Sequence, residues 1–246
     1  MLRDKLIDTA IVLGIDAPLR RLRAALYPTY RYDHEEAQRL YTFLRALLKE
    51  DANCIDIGAY RGRVLSTILE LAPYGKHIAY EPLPHLYSYL VKRFPMVDVR
   101  QAAVSNNDGE ARYVYVKNAP AESGFREKMY SRSSPLEKIT VRTEVLDKCL
   151  PDDYVPALIK IDVEGAERQV IEGAIETIHR HKPIVLFEHG QGSAAYYDTQ
   201  PSHIYDLLCN QAGMHIFDLD RHDSYTLAEF EASYASNKRW DYIALP

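Results

Sequence analysis

The sequence predicts an α/β domain built on a mostly parallel sheet with helices on both faces, and three observations carry that prediction. Short apolar runs at 53–57, 77–80, 157–161 and 183–187 alternate with stretches of helical period, which is the order of β-α-β units. The first run passes through Asp56 into a loop with Gly58 and Gly62, and helical spacing resumes at once in Val64, Leu65, Ile68, Leu69 and Leu71. All four runs end in a carboxylate: Asp56, Glu81, Asp162 and Glu188.

Ahead of the first strand, residues 1 to about 30 read as one or two short helices broken near Gly14 and Pro18. Arg3, Lys5, Arg20, Arg21 and Arg23 make this stretch basic, as either a solvated helix face or a contact for an anionic surface. Asp33 can cap a helix with Glu36 three residues on, and Ala37, Leu40, Tyr41, Leu44, Leu47 and Leu48 give it one apolar face. We therefore divide the chain into an N-terminal accessory segment, 1–32, and a main domain, 33–246.

Within the main domain, the strand at 77–80 leads through Glu81-Pro82 into a helix starting at Pro84 and carrying Leu86, Leu90 and Val91. A third strand begins at Val97 and continues through Ala102, Ala103 and Val104 to the turn signal at 105–109. The middle then changes character. Residues 111–116 and 139–145 alternate as strands, the second with Thr140, Arg142 and Glu144 outward. Between them the polar stretch 117–138 has no period and reads as a mobile or substrate-contacting loop. We treat 110–147 as a strand-and-loop insertion.

Regular order returns with the strand at 157–161, a helix through Val170, Ile171, Ala174 and Ile178, and the strand at 183–187 before Glu188-His189-Gly190. A helix near 204–209 and strands at 215–219 and 240–245 complete the chain. The short span between the last two strands suits an antiparallel return or a crossover.

Composition narrows the function. Hydrophobic residues make up 47% and charged residues 26% of 246, ordinary for a globular protein. The net charge of −5 argues against a nucleic-acid partner, which calls for a basic face. No apolar run reaches the roughly 20 residues that span a bilayer, and Asp4, Asp8 and Asp16 interrupt the N-terminal run, so no signal peptide is expected. Cys54, Cys149 and Cys209 lack metal or pairing spacing and read as reduced thiols of a cytoplasmic protein.

Ligands of an open parallel sheet bind at the carboxyl ends of its strands, which gathers the four acidic tips into one candidate site. The loop reads D-x-G-x-x-x-G, not the G-x-G-x-x-G of dinucleotide binders, and so is either a ligand loop or an ordinary βα turn. A carboxylate at the strand tip suits a ligand with a charged amino-acid end, so Asp56 would face its ammonium. Glu81 follows Gly62 by 19 residues, the place of an acid that accepts both ribose hydroxyls of a nucleoside, although a helix-capping acid reads the same way. The stretch from Gln101 to Ser105 at the third strand tip, Ala102 and Ala103 included, would flank an adenine ring. Glu164 and Glu167 fall where a following helix starts and could serve its dipole alone.

These residues carry a resemblance. D-x-G-x-x-x-G, the E-P after the second strand, the A-V-S after the third and above all I-K-I-D-V-E-G-A-E at 159–167 resemble the FkbM family of S-adenosylmethionine-dependent methyltransferases over roughly 50–246. The resemblance implies a Rossmann-like class I methyltransferase fold, a seven-stranded sheet whose last strand is antiparallel. It implies S-adenosyl-L-methionine as cofactor and O-methylation of a sugar, glycolipid or natural-product hydroxyl, so the partner is a small-molecule or carbohydrate acceptor, with a homo-oligomer left open.

Asp56, Gly58, Tyr60, Gly62, Glu81, Pro82, Gln101, Ala102, Ala103 and Asp162 are the candidate cofactor residues. A hydroxyl becomes a good nucleophile as its proton is taken, and Asp162, Glu188 and His189 are the candidates for that work. Asp162 and Glu188 could instead share Mg²⁺, although no metal is required. The competing readings are a non-catalytic nucleoside-binding module and a nicotinamide-dependent oxidoreductase, the latter lacking its glycine motif.

Overall fold

The computed structural model describes residues 28–130, 133–220 and 223–246. The basic N-terminal stretch falls outside these. The chain divides into two compact units, Met1–Leu47 and Leu48–Pro246. In the first, helix α1 spans Pro28–Leu47, so it begins earlier than the Asp33 cap expected from sequence. Proline is at home in a first helical turn because its missing N–H has no partner there in any case.

The second unit is organised by a seven-stranded sheet. Strands β1 (Asn53–Ile57), β2 (His77–Tyr80) and β3 (Asp98–Arg100) lie parallel on one side, in the order β3-β2-β1. On the other side of β1 follow β7 (Pro156–Ile161), β8 (Ile184–Glu188), β10 (Asp241–Leu245) and β9 (His215–Phe217). Only β10 runs antiparallel, to both β8 and β9. The chain order reverses between β1 and β7, and such a switch point opens a crevice at the strand ends.

The central strands β1, β2, β7 and β8 are buried on both faces, which is why they read as apolar runs. Ile55, Ile57, Ile159, Ile161, Val185 and Phe187 contribute to the larger core. On the opposite face a smaller core gathers Ala59, Leu65, Ala79, Leu90 and Phe94 under α2 (Arg63–Leu71) and α3 (Pro84–Arg93).

The middle of the chain departs from the sequence reading. The third strand is two strands: β3 stays in the main sheet, and β4 (Ala103–Val104) crosses to a second, three-stranded sheet. There β6 (Leu136–Glu144) lies between β4 and the antiparallel β5 (Gly109–Val116). β6 therefore starts inside the stretch expected to be loop. Glu144, expected outward, is buried against Arg100, with Arg142 Nη2 2.9 Å from its Oε1. The remaining connection is pinned by a Val114–Gly124 bridge and a 3₁₀ turn at Pro120–Glu122.

Short helices α4 (Leu146–Cys149), α5 (Glu167–Glu172), α6 (Ile175–His181), α7 (Gln191–Ala194) and α8 (Pro201–Tyr205, extended by a π-wound stretch Asp206–Gln211) join the remaining strands. One helix was not expected: α9 (Leu227–Ser236), whose Thr226–Glu229 capping box is legible in the sequence but whose residues include a single buried one, Phe230. One buried side chain in ten residues gives no readable apolar period.

Candidate cofactor cleft

An open cleft of about 680 Å³, its solvent-facing mouth included, lies at the carboxyl ends of β1, β2 and β7. Gly58 and Tyr60 line it after β1, Glu81 and Pro82 after β2, and Ala102, Ala103 and Val104 beyond β3. Asp162, Val163 and Glu164 line it after β7, and Tyr113, Pro120, Ser123 and Phe125 come from the second sheet and its loop.

The turn after β1 is held by Tyr80, whose carbonyl accepts from both Gly58 N (3.1 Å) and Ala59 N (3.0 Å). Gly58 sits at φ +77°, and a Cβ there would lie 1.9 Å from the carbonyl oxygen of Asp162. The glycine thus lets the β1 turn approach the β7 tip. Gly62 serves packing: at φ +71° its Cβ would lie 2.2 Å from the Phe94 ring, and it does not line the cleft. A glycine expected to leave room for a ligand leaves room for a side chain.

Glu81 has the geometry of a built site. It is 4% exposed, yet both oxygens are fixed by backbone donors: Tyr60 N to Oε2 at 3.0 Å and Leu83 N to Oε1 at 2.9 Å. Tyr60 donates from a left-handed conformation, φ +50°. Each carboxylate oxygen keeps lone pairs for a further donor. Burial pushes Glu81 up to about 7, with the two backbone bonds opposing it.

Asp56 is not presented to the cleft. It is 1% exposed and meets Lys160 Nζ at 3.1 Å. Asp162, with 43% of its side chain exposed, faces the opening and lies 3.4 Å from the same ammonium. Gln101 is exposed and outside the lining, whereas Ala102 and Ala103 are in it.

Glu164 and Glu167 do different work. Helix α5 begins at Glu167, so Glu164 precedes it, at φ +59°. Its carboxylate pairs with Lys128 of the loop before β6, and burial holds it above the usual carboxylate range against the pull of that lysine. Glu167 accepts from Gly165 N (3.0 Å) and Val163 N (3.3 Å), which fixes the loop that carries Glu164. The Lys128 loop is fastened further by Tyr197 Oη, which accepts from Arg126 N at 3.2 Å, and Tyr196 Oη, which accepts from Met129 N at 3.0 Å.

The tip of β8 goes elsewhere. Glu188 lies outside the cleft lining, and burial followed by repulsion from Asp162 pushes it up to about 9. His189 is fully buried, stacked on Tyr234 (4.8 Å) and Phe230 (5.9 Å) of α9, and neither ring nitrogen has a hydrogen-bond partner. Burial holds it down to about 4. The structure therefore brings Gly58, Tyr60, Glu81, Pro82, Ala102, Ala103 and Asp162 to the cleft and leaves Asp56, Gly62, Gln101, Glu188 and His189 outside its lining.

Among the described residues, no group of three or more His, Cys, Asp or Glu side chains could hold a metal ion. None of their helices is long and apolar enough to cross a membrane. The cysteines are free thiols, Cys54 pushed up to about 12 by burial.

A seven-stranded sheet with one antiparallel strand and a cleft at its switch point is the architecture of class I methyltransferases. The methyltransferase FkbM domain matches residues 56–215, and the chain belongs to that family of S-adenosylmethionine-dependent methyltransferases. No curated protein matches the chain. Among solved structures it is similar to methyltransferase FkbM from Methylobacillus flagellatus KT (16% identity, TM-score 0.52), over 81% of this chain but 44% of that one. This chain thus spans less than half of that protein. It is also similar to precorrin-6y C5,15-methyltransferase from Geobacter metallireducens GS-15 (14% identity, TM-score 0.44), over 85% and 88% of the two chains.

Proposed function

We propose that the chain is an S-adenosylmethionine-dependent O-methyltransferase of a hydroxyl on a sugar, glycolipid or natural product, working in the cytoplasm. The observation that supports the cofactor assignment is Glu81: a buried carboxylate, fixed at both oxygens by backbone N–H groups, at the end of β2 and on the cleft. The donor set fits a nucleoside. Glu81 would accept from two ribose hydroxyls, Ala102 and Ala103 leave a flat apolar wall for a base, and the carboxylate of Asp162 suits a cationic amino-acid end.

S-adenosylmethionine, when bound, supplies a methyl group on a sulfonium already activated for displacement. The chain's own task is alignment and proton removal. The Tyr80 carbonyl and the Gly58 turn hold the wall on which an amino-acid end would rest. The loop carrying Lys128 contributes Ser123 and Phe125 to the cleft. The proton of the acceptor hydroxyl would pass to a carboxylate on the lining, Asp162 or Glu164, because His189 is enclosed by α9 and holds no proton until about pH 4.

The test of the reaction is methyl transfer from labelled S-adenosylmethionine to sugar and polyketide acceptors, with and without Mg²⁺. A methyl ether is expected. An N-methyl product or a methyl ester would contradict the O-methyl assignment, and tight cofactor binding without transfer to any acceptor would favour the non-catalytic binding module.

A further inference from the structure

Lys160 lies in the interior of β7, a lysine only 8% exposed. Strand period puts it on the same side as Asp162, two residues on. The β1–β7 register places it directly beside Asp56. Its ammonium lies 3.1 Å from Asp56 Oδ1 and 3.4 Å from Asp162 Oδ2. It also donates to the carbonyl oxygen of Gly58 at 2.9 Å and approaches that of Ile57 at 3.5 Å. Burial alone would strip its proton, but the two aspartates outweigh that and raise its pKa.

Asp56 Oδ1 pairs with the Lys160 ammonium, and among the described residues that is the cation beside this buried carboxylate. Asp56, Lys160 and Asp162 together carry one net negative charge, and only Asp162 opens onto the cleft. The Gly58 carbonyl and the Asp162 carboxylate belong to the two turns that flank the switch point, and the same ammonium holds both.

We propose, on the cofactor reading above, that Lys160 is a positioning residue. Its ammonium fixes the Gly58 turn and the Asp162 carboxylate so that Asp162, not Asp56, presents negative charge to the cofactor. A purely structural Lys160 would serve only to neutralise Asp56, and the two roles separate experimentally.

The experiment compares the wild type, Lys160→Met and the double variant Asp56→Asn/Lys160→Met by thermal unfolding without ligand and by calorimetric titration with S-adenosylhomocysteine. Lys160→Met is expected to melt earlier and to bind at least about tenfold more weakly, the worth of a lost charged hydrogen bond. The double variant has no unpaired buried charge, so it is expected to recover its melting temperature while keeping the weak binding. Recovery of binding together with stability would overturn the proposal and leave Lys160 a neutralising group.

Should the double variant stay unstable, Asp162→Asn decides. With Lys160 intact and a half-exposed side chain changed, weaker binding is expected and unchanged affinity overturns the proposal. A wild type that does not bind S-adenosylhomocysteine would instead sink the cofactor reading itself, before any variant is compared.

Discussion

The tips of β2 and β8 end alike in sequence, each a buried apolar strand closing on a glutamate, and they end differently in space. After β2, Pro82 and Leu83 turn the chain so that Leu83 N and Tyr60 N hold the Glu81 carboxylate at the cleft. After β8, His189 N bonds the Trp240 carbonyl at 2.7 Å, and the ring is drawn under Phe230 and Tyr234 of α9. An acidic strand end is thus only a candidate. What decides is whether the segment that follows leaves backbone donors facing the crevice or brings in an aromatic cover.

The comparison can be broken most severely at its pivot. Gly58→Ala adds a Cβ 1.9 Å from the Asp162 carbonyl at a positive φ, and about 3 kcal/mol or more of stability should be lost along with cofactor binding. Denaturant unfolding and S-adenosylhomocysteine titration measure both, and a stable, binding variant would contradict the close approach.

His189→Ala should cost about 2–4 kcal/mol by emptying an aromatic slot, while leaving S-adenosylhomocysteine affinity within about threefold. Loss of affinity without loss of stability would instead place His189 in the site.

A third test is pH. Glu81 and Glu188 are raised from 4.5 to about 7 and about 9, so the native protein holds protons that the unfolded chain has released. Their contribution to stability is present at low pH and lost as pH rises through those values. His189 is lowered from 6.5 to about 4, so its contribution is present above 6.5 and lost as pH falls toward 4. The melting temperature should therefore fall toward both extremes, and His189→Ala should flatten the acid side. On the role proposed for Glu81, cofactor binding calls for its ionised form and should tighten between pH 6 and 8. A pH-independent affinity would contradict the burial of Glu81.

The smallest expected effect is Tyr197→Phe, which removes one acceptor from the loop at Arg126 N. It should cost about 1 kcal/mol and speed proteolysis of the loop around Lys128. Unchanged cleavage would mean that the Lys128–Glu164 pair and the Tyr196 contact hold the loop without Tyr197.

Where single residues dominate, the sequence was legible. Buried β1, β2, β7 and β8 read as apolar runs, and the spacing from Gly62 to Glu81 pointed to one of the acids that line the cleft. Side-chain destinations were not legible where a distant element supplies the environment. Gly62 faces Phe94, and His189 faces α9, a helix with too little apolar face to announce itself. The split of β3 from β4 and the burial of Glu144 depend on the second sheet, whose pairing is non-local. Lys160 left a signal that went unused: a lysine inside a buried strand, in phase with Asp162, must find buried anions.

The central claim is that Glu81 at the β2 tip holds the nucleoside of the cofactor. Calorimetric titration of the wild type and of Glu81→Gln with S-adenosylhomocysteine, with NADH as the control ligand, tests it most directly. The account predicts binding by the wild type, no response to NADH, and at least about tenfold weaker binding by a variant that melts close to the wild type. Equal affinity of the two proteins, or binding of NADH alone, would contradict it.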